Sequence, residues 1–136
     1  MFDKYGVDVV SQGHVHNYQR TCPLKYDGTS SPTITSSSST NYNDPKGEIF
    51  VSVGTGGVNF HALSGKASFV KTQQDKKFGA LNMVVTNNGY KLVGQYYSNG
   101  GSKLDKFSIT KTGTSISAST SSAGKYVYGP SLTLSG

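Results

Sequence analysis

The sequence predicts an α/β (α+β) fold that consists mostly of antiparallel β-strands with little helix. The chain has 136 residues, which suits one domain of ordinary size. Only 15% of the residues are charged and 17 are glycine, a composition unlike that of a helical bundle or coiled coil. Four apolar runs bounded by turn residues predict strands. They cover residues 48–53, 80–86, 90–97 and 104–110.

The N-terminal segment predicts a helix that leads into a short strand. Phe2 and Tyr5 have the spacing of one helix face. Gly6 suits the end of this helix, because glycine adopts left-handed backbone angles at little cost. The β-rich run at 7–10 predicts a strand, which Gln12–Gly13 interrupts. The motif that follows therefore starts where a strand ends, which is where ligands collect in open α/β sheets.

The last three runs predict an antiparallel meander, because short turns join each run to the next. The turn Asn87–Gly89 contains residue types that tolerate positive φ, as a tight hairpin requires. A second turn is predicted at 99–101.

Two segments rich in Ser and Thr lie outside these runs. Residues 29–40 carry too few apolar side chains to offset the entropy cost of ordering them, so they predict a mobile surface loop. Residues 112–125 predict a linker. Residues 126–136 predict either the first strand of a following β domain or a disordered tail. They faintly resemble the opening strand of laminin-G-like or concanavalin-like domains.

Charge and composition argue against nucleic acid and membranes as partners. The formal net charge is +6, but the lysines are scattered and Arg20 is the sole arginine, whereas nucleic-acid readers cluster their cations. The positive charge is consistent with a solubilising surface or with attraction of small anions. No apolar run approaches the roughly 20 residues that cross a bilayer, and the N-terminus lacks signal-peptide features. The single cysteine, Cys22, excludes an internal disulfide.

The candidate site is the string Gly13-His14-Val15-His16. In an extended segment, residues i and i+2 point to the same side, so the two imidazoles could bind one metal ion or two neighbouring ions. Imidazole suits zinc, iron and other transition metals, and Gly13 removes a side chain beside the pair. An H-x-H pair by itself is more often part of an exposed turn than of a metal site, so the pair alone leaves both interpretations open.

The longer string Gly13-His14-Val15-His16-Asn17-Tyr18-Gln19-Arg20, followed by a proline, resembles the last metal-binding motif of the calcineurin-like metallophosphoesterases. Within that superfamily it most resembles the purple acid phosphatase branch. The segments at 2–10, 47–57 and 78–79 resemble the helix, strands and glycine turn of the same branch. The resemblance covers about residues 1–111.

The resemblance implies a metallophosphoesterase sandwich that hydrolyses phosphate esters with two divalent or trivalent transition metals, drawn from iron, zinc and manganese. It implies that His14 and His16 are metal ligands, each to a different ion. It also implies that Gly13, Tyr18 and Arg20 position neighbouring groups beside the site without binding metal.

One departure from the family limits what this chain can do alone. Asp-x-His, Gly-Asp-x-x-Asp and Gly-Asn-His strings, which supply the other ligands in the family, do not occur in the sequence. We therefore expect residues 1–111 to be the carboxyl-terminal part of a metallophosphoesterase domain, with the rest of the parent domain missing and with no activity on its own. The linker composition and the habit of the family predict an extracellular or cell-surface parent.

Two alternatives stay open at this level. His61 could complete a three-histidine zinc site with His14 and His16, although a solvated loop histidine is the commoner interpretation. The chain could also be a non-catalytic extracellular β module for adhesion or surface assembly. In that module the histidine pair would be vestigial or would bind one structural metal.

Overall fold

A computed structural model describes residues 2–29 and 31–113, which form one short helix and ten strands. Helix α1 spans Phe2–Tyr5, and Gly6 follows it at φ +63°, as predicted for the end of this helix. No helix in this part of the chain is long and apolar enough to cross a membrane. The strands are β1 (Val9–Gln12), β2 (Tyr18–Thr21), β3 (Leu24–Lys25), β4 (Thr33–Ile34), β5 (Asn41–Asn43), β6 (Ile49–Val53), β7 (Val70–Gln74), β8 (Gly79–Thr86), β9 (Lys91–Ser98) and β10 (Lys103–Thr110).

The first sheet has the strand order β1-β6-β2-β7. Strand β1 lies parallel to β6, with Val10 opposite Phe50, and β2 lies antiparallel to both β6 and β7. Helix α1 packs on this sheet through an edge-on contact between Phe2 and Phe50, whose ring centroids are 6.0 Å apart. Because β1 and β6 are parallel, their carboxyl ends meet at one edge of the sheet.

The second sheet has the order β5-β10-β9-β8. Strands β8, β9 and β10 form the predicted antiparallel meander, and β5 lies parallel to β10. Asn87 and Asn88 adopt φ values of 54° and 51° in the predicted hairpin turn. A smaller two-stranded sheet pairs β3 with β4.

The core lies between the two four-stranded sheets. Tyr18 from the first sheet stacks on Tyr96 from the second, with ring centroids 3.9 Å apart. The core cluster comprises Tyr18, Tyr42, Ile49, Val51, Leu92, Tyr96, Phe107 and Ile109. These residues come from alternate positions of the strands, as expected when one face of each sheet is buried. The structure is therefore a sandwich of β-strands with very little helix, and the predicted fold class is confirmed.

A buried ion pair joins the two sheets. The Arg20 guanidinium on β2 donates two hydrogen bonds to the Asp105 carboxylate on β10, from Nε at 2.6 Å and from Nη2 at 2.9 Å. Arg20 is 2% exposed, and its Nη1 donates to the hydroxyl of Tyr42 at 2.9 Å. The Tyr18 hydroxyl donates to the same carboxylate at 2.7 Å. The opposite sheet thus supplies the counter-ion and a hydroxyl acceptor for this buried charge.

The Ser/Thr-rich segment at 29–40 differs in part from its prediction. Strand β4 within it pairs with β3, and the Thr35 amide donates to the Pro23 carbonyl at 2.9 Å. Further along, the Ser39 carbonyl accepts a hydrogen bond from Arg20 at 3.0 Å. The segment lies at the surface as predicted, where most of its described residues are exposed. The prediction missed strand β4 and the hydrogen bonds of the backbone, because their partners lie elsewhere in the sequence.

Other strand predictions also need correction. The first strand spans Val9–Gln12 and not 7–10, since its pairing with β6 continues through two polar residues. Strands β5 and β7 are mostly polar and were not predicted, because a strand that lacks an apolar run gives no clear sequence pattern.

The C-terminal predictions lie mostly outside the described residues. The linker predicted at 112–125 is described only at its first two residues, and the strand or tail predicted at 126–136 is not described. Thr112 is held at the end of β10, where its amide donates to the Asp44 carboxylate at 2.9 Å.

Replacing Asp105 should test how far the fold depends on the buried ion pair. Asp105→Asn leaves the Arg20 charge buried without a counter-ion, which should lower the free energy of unfolding by about 3–5 kcal/mol. Urea unfolding monitored by circular dichroism measures the change. The control Lys106→Gln alters the exposed neighbour and should change stability by less than about 0.5 kcal/mol. Equal effects of the two substitutions would show that the ion pair does not hold the sheets together.

Stability should also fall in alkaline solution. Burial, with the nearby Asp105 carboxylate, raises the pKa of Tyr18 above its ordinary value. Because of the raised pKa, the Tyr18 hydroxyl keeps its proton in the folded state at pH values where it loses the proton in the unfolded state. The contribution of Tyr18 to stability is therefore fully present below about pH 10, the ordinary tyrosine pKa, and is lost as the pH rises further. Urea unfolding between pH 8 and pH 11, taken as approximate limits around the ordinary tyrosine pKa, should show this decline. Tyr18→Phe should reduce it, and an identical slope in the variant would contradict the assignment.

Candidate functional site

Two loops meet at the edge of the first sheet where β1 and β6 end. Residues 13–17, here called the histidine loop, connect β1 to β2 and contain both histidines of the motif. Residues 54–61, here called the clamp loop, follow β6 and contain His61. The predicted position of the motif, beyond the carboxyl end of a strand, agrees with this arrangement.

The histidine loop is tightly turned and not extended. His14 has φ +70°, a left-handed angle that is uncommon for a residue with a side chain. The Val15 amide donates to the Gly13 carbonyl at 2.9 Å, and the Asn17 amide donates to the Val15 carbonyl at 2.8 Å. The loop reverses the chain direction between β1 and β2, which lie on opposite sides of β6. The extended conformation expected for this segment is therefore wrong.

Gly54 allows the histidine loop to approach the end of β6. A Cβ atom at this position would lie 1.9 Å from the Val15 carbonyl oxygen and 3.1 Å from the His16 Cα. The Gly54 amide also donates to the Asn17 carbonyl at 3.1 Å. At Gly13, by contrast, an added Cβ would meet no heavy atom within 4 Å. The glycine that permits close approach of two backbones at this edge is thus Gly54 and not Gly13.

The His16 ring is oriented by the clamp loop. Its Nδ1 lies 2.8 Å from the Asn59 carbonyl oxygen. A carbonyl oxygen only accepts hydrogen bonds, so Nδ1 carries the proton and Nε2 of the neutral ring keeps its lone pair. This is the arrangement found around metal-binding histidines, whose second ring nitrogen donates to a carbonyl or carboxylate.

His61 lies directly against His16. The two rings are stacked with centroids 4.2 Å apart and an angle of 17° between their planes. The His16 amide donates to His61 Nδ1 at 3.3 Å, and the His61 amide donates to the His16 carbonyl at 3.0 Å. His61 is exposed and lies in a loop, as the commoner interpretation expected, and it also has these specific partners.

The clamp loop is itself anchored in the core. Thr55 is fully buried, accepts a hydrogen bond from the Tyr96 hydroxyl at 2.8 Å and donates to the Gly79 carbonyl at 3.1 Å. Phe60 stacks on Phe78, with ring centroids 4.6 Å apart. The second sheet therefore helps to place a loop that emerges from the first sheet.

The remaining predicted site residues occupy different environments. The His14 ring is exposed on the histidine loop, whereas Tyr18 and Arg20 are buried between the sheets and bind Asp105. Within residues 2–29 and 31–113, no group of three or more His, Cys, Asp or Glu side chains is arranged to hold a metal ion. The described part of the chain thus places His16 and His61 together but does not form the three-histidine zinc site that was considered.

Comparisons with known proteins agree with this architecture. No family model matches the chain. It is 30% identical over 112 residues to "Probable inactive purple acid phosphatase 1" of Arabidopsis thaliana, a match that covers 82% of this chain and 18% of that protein. It is also 30% identical over 110 residues to a "Nucleotide pyrophosphatase/phosphodiesterase" of Hordeum vulgare, covering 80% of this chain and 28% of the relative.

A solved structure shares the fold. The purple acid phosphatase PPD1 from yellow lupin (Lupinus luteus) seeds superimposes with a TM-score of 0.72 and 26% sequence identity, over 91% of this chain and 22% of the lupin chain. The fold thus matches the C-terminal, sandwich-like part of a purple acid phosphatase. Within that class, the homologues of this chain are purple acid phosphatases and a nucleotide pyrophosphatase/phosphodiesterase, so the resemblance predicted from the sequence is confirmed. The chain spans between 18% and 28% of the length of the two plant relatives.

Replacing Gly54 should disturb the site more than the fold. In Gly54→Ala the added methyl group would collide with the backbone of the histidine loop, which should lower stability by about 1–3 kcal/mol and displace His16 from His61. Thermal unfolding and the NMR amide shifts of the two loops measure these effects. Gly56→Ala is the matched control, because a Cβ there would meet no heavy atom within 4 Å. Unchanged histidine-loop shifts in Gly54→Ala would contradict this account.

Proposed function

We propose that the chain provides the last histidine pair of a dinuclear metal site in a purple acid phosphatase-like phosphoesterase. The intact enzyme would hydrolyse phosphate esters. His14 and His16 are the proposed ligands, and residues 1–111 are the proposed part of the catalytic domain. An extracellular or cell-surface location is part of the same proposal.

The orientation of His16 carries this proposal. Its Nδ1 donates to the Asn59 carbonyl, which leaves Nε2 as the nitrogen with a free lone pair. A half-buried imidazole held in this way has already lost much of the rotational freedom that metal binding would otherwise cost. The ring thus fits a transition-metal ligand by its chemistry and by its surroundings.

The other proposed site residues act around this ligand. His14 would contribute a second imidazole from the same tight turn. Gly13 keeps the space before His14 free of a side chain. Tyr18 and Arg20 lie on the strand that follows the histidine loop and attach it to the second sheet through Asp105. They would position the loop and would not bind metal.

The donor set of this chain is incomplete for two metal ions. Two imidazoles leave most coordination positions unfilled, and the described residues form no group of three or more suitable side chains. In an intact enzyme, two bound metal ions would supply a water of lowered pKa and positive charge for the phosphoryl oxygens. The remaining ligands would have to come from other sequence of the parent protein, so we propose that this chain alone is inactive.

A non-catalytic β module is the second candidate. One sequence relative, "Probable inactive purple acid phosphatase 1" of Arabidopsis thaliana, has "inactive" in its name. An inactive parent would keep the sandwich and the clamp loop while the metal ligands elsewhere were lost. The reading frame upstream of Met1 separates the two candidates: Asp-x-His and Gly-Asn-His strings there favour the enzyme, whereas their absence favours the module.

Metal titration tests the ligand assignment. Isothermal titration calorimetry with Zn²⁺ should detect binding by the 136-residue chain, and the double variant His14→Ala/His16→Ala should abolish it, because both proposed donor nitrogens are removed. Unchanged zinc uptake would remove the pair from the site.

A p-nitrophenyl phosphate assay of the zinc-loaded or iron-loaded chain should show no turnover. Robust metal-dependent turnover would overturn the proposal that other sequence is required.

A further inference from the structure

We infer that His61 is a positioning residue that selects Nε2 of His16 as the metal-binding nitrogen. This inference rests on the proposed function above, because it assigns a role toward the same metal site. His61 stands outside the resembling motif at 13–20 and lies 45 residues beyond His16 in the sequence.

The contacts between His61 and His16 are reciprocal. Each residue donates its backbone amide to the other, His16 to the His61 ring at 3.3 Å and His61 to the His16 carbonyl at 3.0 Å. The stacked rings, with centroids 4.2 Å apart, restrict rotation of the His16 ring about its side-chain bonds. The Asn17 side-chain amide adds a hydrogen bond to the His61 carbonyl at 3.4 Å. Together these contacts hold the clamp loop in one register against the histidine loop.

That register determines which nitrogen of His16 carries the proton. Asn59, whose carbonyl accepts from His16 Nδ1, precedes His61 by two residues on the clamp loop. Thr55 and Phe60 also hold the clamp loop, but if the ring contacts of His61 were lost, the Asn59 carbonyl would be held less firmly at hydrogen-bonding distance from the His16 ring. The His16 proton could then move to Nε2, which would block the nitrogen that is free for a metal.

The same geometry argues that His61 is not itself a ligand. Its Nδ1 accepts the His16 amide proton, so the proton of the neutral His61 ring resides on Nε2. To bind a metal through Nε2, His61 would have to move this proton to Nδ1 and give up the hydrogen bond to His16. His61 therefore orients the proposed ligand His16 and does not itself bind the metal.

The test uses the 136-residue chain without metal, at a pH where both rings are neutral. Long-range ¹H–¹⁵N NMR spectra distinguish a protonated from an unprotonated ring nitrogen. The wild-type chain should show His16 protonated at Nδ1, and His61→Ala should convert it to a mixture with the Nε2-protonated form. His61→Phe, which keeps a stacked ring, should retain most of the wild-type state. Lys106→Gln, which alters an exposed residue outside both loops, is the control and should leave the His16 signals unchanged.

Calorimetry with Zn²⁺ supplies the second measurement. His61→Ala should bind zinc about 10–100-fold more weakly than the wild-type chain, as is typical when an outer partner of a ligand is lost, and His61→Phe should restore most of the affinity. If His61→Ala keeps His16 protonated at Nδ1, the inference is overturned whatever the zinc affinity. If the tautomer changes as expected but the wild-type chain binds no zinc, the proposed metal site fails while the control of His16 by His61 stands.

Discussion

The position of the histidine loop depends on the buried ion pair between Arg20 and Asp105. Strand β2 carries Arg20 and begins immediately after the loop, and Asp105 belongs to the opposite sheet. An arginine buried between two layers needs a counter-ion and further acceptors, and here the opposite sheet and residues leading into β5 supply them. The ion pair therefore joins β2, which follows the histidine loop, directly to the opposite sheet.

The two loops at the sheet edge form one unit for a related reason. Parallel pairing of β1 and β6 brings their carboxyl ends together, and Gly54 allows the backbones to approach closely enough for side chains of one loop to bind the backbone of the other. Thr55 then ties the clamp loop to Tyr96 in the second sheet. The orientation of His16 is thus determined by contacts that extend through both layers of the sandwich.

The relationship to purple acid phosphatases and the incomplete donor set fit a single picture. The chain shares fold and sequence with proteins of that branch but spans 18–28% of the plant relatives' length. Within the described residues it offers a pre-oriented imidazole and its supporting groups but no complete ligand group. A dinuclear site assembled from several strand ends would distribute its ligands in this way along a longer sequence.

The sequence by itself determined the features that depend on local chemistry. The helix end at Gly6, the asparagine hairpin, the apolar strands of the meander and the histidine motif are all encoded by neighbouring residues, and the structure contains each of them. Only the tertiary structure decided the polar strands β5 and β7, the anchoring of the Ser/Thr-rich segment and the stacking of His61 on His16. These features depend on partners tens of residues away, and hydrogen bonds between distant backbone groups leave no periodic pattern in the residues that form them.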